Sequence, residues 1–207
     1  MVSRFGKGFA LALALVALAG AGREAAAQAW GVTAYLGYYF PLADVVSAED
    51  NPLGEAVSQQ STVAFGGRLS RMFSGDHLGV EFSIGYAGSG LEGEDSGNEV
   101  DGTMTMWSLR LLYMLGSAGK LRPYLAGGLG YLTRGGDAWE DIDSTGDIGG
   151  NLALGLLFPL GEMLDLRIEL EDYLSSAAFD SALGETDSEF QNDFLLSAGI
   201  HIPFGGN

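Results

Sequence analysis

Eight stretches of the chain alternate apolar residues with small or charged ones, at 30–40, 62–73, 78–87, 103–115, 121–133, 147–158, 163–174 and 190–204. The run Leu164-Asp165-Leu166-Arg167-Ile168-Glu169-Leu170-Glu171 shows the period most sharply. Successive side chains of a strand point to opposite faces, so one face here is Leu and Ile and the other is charged. Each stretch has about ten residues or more, the length a tilted strand needs to cross a bilayer. Short turns at 74–77, 116–120 and 159–162 alternate with long segments at 41–61, 88–102, 134–146 and 175–189, all marked by Gly, Pro, Asp, Asn and Ser. Strict alternation of short and long connections predicts strands that run up and down. All long loops then lie at one end, and both chain ends at the other. The expected fold is all-β: one eight-stranded antiparallel up-and-down transmembrane β-barrel.

A soluble ligand-binding barrel also has eight alternating strands, but inverted, so the orientation of the faces decides. In the third stretch Leu78, Val80, Phe82, Ile84 and Tyr86 oppose Gly79, Glu81, Ser83, Gly85 and Ala87. In the sixth, Ile148, Leu152, Leu154, Leu156 and Phe158 oppose Asp147, Gly149, Asn151, Ala153 and Gly155. In the last, Phe194, Leu196, Ala198, Ile200, Ile202 and Phe204 oppose Asp193, Leu195, Ser197, Gly199 and His201. The second face of each set is mostly Gly, Ala and Ser. Water does not demand small residues; the bore of a narrow eight-stranded barrel does. A water-facing wall would also carry many lysines. The bulky face is therefore expected to meet lipid. Trp30, Phe40, Phe73, Tyr113, Tyr131, Phe158 and Phe204 fall near strand ends, where aromatic girdles form.

The first residues change the compartment. Arg4 and Lys7 precede an uncharged apolar run from Gly8 to Gly20, and small residues follow at Ala25-Ala26-Ala27-Gln28-Ala29. Residues 1–29 are expected to be a secretory signal peptide, cut after Ala27 or Ala29, ahead of one barrel domain at 30–207. The run is too short for a spanning helix, which needs roughly 20 residues. The leader contains Arg4, Lys7, Arg23 and Glu24, so its removal takes the formal net charge from −17 to −19. Such acidity argues against nucleic acid as a partner. There is no cysteine, hence no disulfide and no thiolate metal site.

The stretch Arg122-Pro123-Tyr124-Leu125-Ala126-Gly127-Gly128-Leu129-Gly130-Tyr131 resembles the fifth strand of the small OmpA/OmpX-type outer-membrane barrels. Residues 164–173 resemble their seventh strand and 194–204 their closing one. The likeness implies a monomer in the cell outer membrane of a Gram-negative-type bacterium. Its partners would be outer-membrane lipid, lipopolysaccharide and the outer-membrane assembly machinery. Comparable barrels of that family stabilise the envelope, mediate adhesion or resist host defences. Chains of that family usually end on an aromatic residue, whereas this one continues past Phe204 into Gly205-Gly206-Asn207.

By parity Arg68, Arg110, Arg122 and Arg167 point inward, as do Glu81, Asp165, Glu169, Glu171 and Asp193. Four positive against five negative charges, with Arg68, Glu81, Arg110, Arg167 and Glu169 at similar depth counted from the short-turn ends, predict an ion-pair network filling the lumen, because an unpaired buried charge is costly. The competing role for these charges is a polar path for solutes, but water-filled channels need about 16 strands. Ser197 and His201 share the inner face at a spacing of roughly 13 Å along a strand, too far for a nucleophile and its base. No enzyme and no cofactor are expected. Asp141, Asp143 and Asp147, with Gly146, resemble the start of a calcium loop, yet Leu152 stands where the bidentate Glu belongs. They are at most a weak divalent-cation site. Gly88, Gly90 and Gly93 match a dinucleotide fingerprint by letter only, in an acidic loop that opens no helix. The expected function is a plugged outer-membrane barrel with acidic extracellular loops and a structural or interaction role. The alternative is a narrow channel or transporter for small solutes.

Overall fold

In the computed structural model the eight alternating stretches close into one barrel. The structure describes residues 30–42, 44–46, 57–73, 77–93, 99–116, 120–139, 146–161, 163–177, 180–181, 184–185 and 189–205. The expected signal peptide lies outside the described residues, as do Asp141 and Asp143. The wall is made of β1 (Trp30–Pro41), β2 (Thr62–Met72), β3 (Leu78–Ala87), β4 (Thr103–Met114), β5 (Arg122–Gly135), β6 (Gly146–Pro159), β7 (Asp165–Ala177) and β8 (Glu189–Phe204). Every strand pairs antiparallel with its sequence neighbours, and β1 pairs with β8 to shut the wall, Trp30 opposite Phe204. Closure leaves no unpaired strand edge in the barrel, which a membrane requires because lipid cannot satisfy backbone N–H and C=O groups. Both ends of the barrel chain lie with the short turns, one of which uses Gly116 at a φ of 105°.

The faces fall as the alternation predicts. Leu36, Leu69, Phe82, Leu109, Leu125, Leu154, Ile168 and Leu196 are exposed on the outside. Thr33, Arg68, Glu81, Arg110, Asn151, Glu169 and Ser197 are buried in the bore. The outer face carries aromatic pairs, Phe82 with Trp107 and Phe40 with Phe194, whose ring centroids lie 5.8 and 5.5 Å apart.

The bore is not filled mainly by small residues, which corrects the expectation above. Tyr35, Tyr39, Met104, Met106, Leu132, Tyr173 and Leu195 form one buried cluster; Leu112, Met114, Tyr124 and Leu157 anchor a second nearer the short turns. The inward glycines make room for the tyrosines. A Cβ on Gly155 would sit 2.2 Å from the Tyr124 ring, and one on Gly66 2.4 Å from the Tyr35 hydroxyl. Large side chains thus seat in glycine hollows across the bore, reaching the dense packing a protein interior needs.

The long segments are not all irregular. Asp44–Val46, Val57–Gln59, Leu91–Gly93 and Glu99–Val100 build a four-stranded antiparallel sheet from the first two long loops. In the third, Arg134 belongs to β5 rather than to the loop, and the helical turn Asp137–Trp139 brings Trp139 into a buried position. The Ala138 N–H donates to the Asp101 carbonyl at 2.9 Å, tying this loop to the second.

Candidate functional site

The centre of the bore holds three arginines and three glutamates that the strand register brings to one level. Arg68 comes from β2, Glu81 from β3, Arg110 from β4, and Arg167, Glu169 and Glu171 from alternate positions of β7. Alternation alone sets the last three on one face. None of the six is more than 2% exposed. Arg110 binds Glu81 at 2.7 Å, Glu171 at 2.9 Å, and Glu169. Arg167 donates to both oxygens of Glu81 from two guanidinium nitrogens, at 2.5 and 2.8 Å, and also pairs with Glu169. Arg68 reaches Glu169 at 3.1 Å and bonds Glu171. Formal charge in this layer sums to zero.

Neutral groups complete the layer. Tyr124 donates to Glu169 and accepts from Arg167 Nε at 2.7 Å. Tyr173 donates to Glu171 at 3.2 Å, and the Asn151 carbonyl oxygen accepts from Arg110 at 3.2 Å. The Arg68 guanidinium also lies 3.9 Å from the Tyr35 ring centroid, a cation–π contact. Buried ions tolerate a low-dielectric site only when neutralised and hydrogen-bonded, and this layer meets both conditions.

The remaining inward charges stand at other depths. Arg122 and Asp165 are half-buried at the short-turn rim, close enough for the Arg122 charge to act on Asp165. This corrects their expected place in a single network. Asp193 sits near the long loops, accepting from Tyr39 at 2.7 Å, with Arg134 3.7 Å away. Arg134 also bonds Asp147 and donates to Gln191 at 3.1 Å. Asp147 therefore faces the bore and is engaged by Arg134, while Asp141 and Asp143, its partners in the expected calcium loop, lie outside the described residues. Among the described residues no group of three or more His, Cys, Asp or Glu side chains is placed to hold a metal.

Ser197 and His201 serve separate contacts. Ser197 accepts from Arg68 at 2.9 Å, while the His201 ring lies 2.9 Å from the Thr33 hydroxyl on β1. His77, at the end of the first short turn before β3, bonds the Met114 carbonyl at 3.1 Å. Ser197 and His201 thus do not meet; the hydroxyl within reach of His201 is that of Thr33. The residues that sequence reasoning passed over are Arg134 and the bore tyrosines. The signal for both was available as parity: Leu132, Arg134, Tyr35, Tyr39, Tyr124 and Tyr173 all occupy inward positions of their strands.

A closed wall with hydrocarbon outside and neutralised ions inside defines a membrane-spanning β-barrel. The sequence matches the family described as outer membrane protein beta-barrel domain over residues 9–204, and the chain belongs to that family. It is a protein of the cell outer membrane. The fold is similar to the crystal structure of OprG from Pseudomonas aeruginosa, at a TM-score of 0.61 and 18% identity, covering 86% of this chain and 97% of that one. It is similar to outer membrane protein AlkL, solved in lipid bilayers, at 0.61 and 19%, covering 89% and 94%. Outer membrane protein W of E. coli matches at 0.54 and 16%, covering 87% and 100%. No curated protein matches the chain in sequence.

The cations are unevenly placed. From residue 30 onward, Arg71, Lys120 and Arg122 lie toward the short turns, while 41–61, 88–102, 135–146 and 175–189 contain no Lys or Arg. Trypsin added to intact cells should leave the barrel whole. Opening the periplasmic side should expose Lys120 to cleavage, read as a truncated band on a gel. A trypsin fragment from intact cells would show that the long loops face inward.

Proposed function

We propose that this barrel is closed to solutes and acts through its wall and its acidic loops, in envelope integrity or adhesion. The single observation that carries this reading is the six-charge layer across the bore, with each arginine bound to two or more carboxylates. A passing solute would have to break several charge-assisted bonds at once, and eight strands leave no room beside them. The acidic loops, the first two tied into a small sheet, form the surface offered to partners outside the cell.

Planar-bilayer recording tests the reading. The refolded barrel should give no discrete conductance steps above the bare bilayer. Steady, reproducible steps in the wild-type protein would favour the second reading, a narrow channel or transporter for small solutes. The observation on that side is the apolar cluster around Tyr35, Met106, Tyr173 and Leu195, which lines the bore between the charge layer and the long loops.

A further inference from the structure

The mouth of the bore near the long loops holds a negative charge that this barrel has no cation left to balance. Asp147 on β6 and Asp193 on β8 both face Arg134 on β5. Arg134 bonds Asp147 and donates to Gln191, whereas its nearest nitrogen stops 3.7 Å from Asp193 Oδ2, beyond hydrogen-bond reach. Tyr39 satisfies Asp193 Oδ1, but among the described residues Oδ2 has no hydrogen-bond partner, although the side chain is only 3% exposed. Two carboxylates share one guanidinium. From residue 30 onward every other Lys and Arg lies in the central layer or toward the short turns.

We propose that this mouth binds a small organic cation with an ammonium head, which donates to Asp193 Oδ2 and supplies the missing positive charge. Buried polar atoms in native proteins are almost always satisfied, so a carboxylate oxygen that no described residue reaches points to a further donor. The approach is electrostatically favourable, because the loops above carry carboxylates and no Lys or Arg, and such a surface concentrates cations. A hard divalent ion fits less well. It needs six or more oxygen ligands, while Asp147 is taken by Arg134 and one Asp193 oxygen by Tyr39. The surroundings suit an alkylammonium: the Trp139 ring already lies 5.4 Å from the Arg134 guanidinium, and Tyr39 and Leu195 belong to the buried apolar cluster. This site stands whether or not any solute crosses the bore.

Isothermal titration of n-butylammonium chloride into the refolded full barrel at pH 7 and low salt tests the site, with sodium and calcium chloride as comparisons. The expected result is saturable binding of the amine that weakens at least tenfold in Asp193→Asn. Tyr39→Phe, which frees Oδ1 as well, should bind at least as tightly as wild type, and it decides the matter if Asp193→Asn does not fold. The proposal is overturned by no saturable binding to wild type, the outcome if Asp193 carries its own proton. Unchanged affinity in Asp193→Asn, loss of binding in Tyr39→Phe, or sodium or calcium binding as tightly as the amine overturns it equally.

Discussion

Replacing Glu169 with alanine should lower the unfolding free energy of the refolded barrel by about 3–5 kcal/mol, the usual cost of breaking a buried pair and stranding its partner. Glu169 is bound by Arg68, Arg110, Arg167 and Tyr124, so its loss leaves three guanidinium groups against two carboxylates. Urea titration in detergent micelles, followed by the gel shift between folded and heat-denatured barrel, reads the change. The double variant Glu169→Ala, Arg68→Ala restores charge neutrality and should recover part of the loss. Recovery would show as a coupling energy in the double-mutant cycle. If Glu169→Ala unfolds at the wild-type urea concentration, the central layer contributes nothing to stability.

A comparable loss is expected from the opposite face of the same level. Leu154 points outward and is 55% exposed, one residue from Gly155, which is the register partner of Glu169. Leu154→Arg puts a charge on the lipid side at the depth of the ion layer and should cost about 2–4 kcal/mol in a bilayer. Leu154→Phe should be close to neutral. The readout is the fraction refolded into phosphatidylcholine vesicles and the urea midpoint there. Equal behaviour of Leu154→Arg and wild type would mean that hydrocarbon does not surround this wall.

Strand number, order and facing were legible because the side-chain period of two is local: each residue declares its face from its neighbours alone. The limits lie where position depends on distant parts of the chain. Arg122, Arg167 and Asp193 all read as inward; counting from the short turns sets Arg167 at the common level, and the register between strands fixes the other two at the rim and the upper mouth. The pattern places Arg134 in a loop because Gly135, Gly136 and Asp137 follow it; the ladder nevertheless runs on to Gly135, which pairs with Thr103. The pattern predicts a bore of small residues because glycines dominate its inward face. What fills them is a set of tyrosines on other strands, and the match of Tyr124 to Gly155 is a contact across strands that no single stretch reveals. The loop sheet escaped for a simpler reason, as strands of two or three residues are too short to show a period.

The layered bore also bears on biogenesis. β2, β3 and β4 bring Arg68, Glu81 and Arg110, a surplus of one positive charge, while β7 alone brings Arg167, Glu169 and Glu171, a surplus of one negative. Neither portion of the chain can be released into hydrocarbon by itself without an uncompensated ion. The two surpluses cancel only when β2–β4 and β7 close around the same bore, so closure and charge burial are one cooperative event.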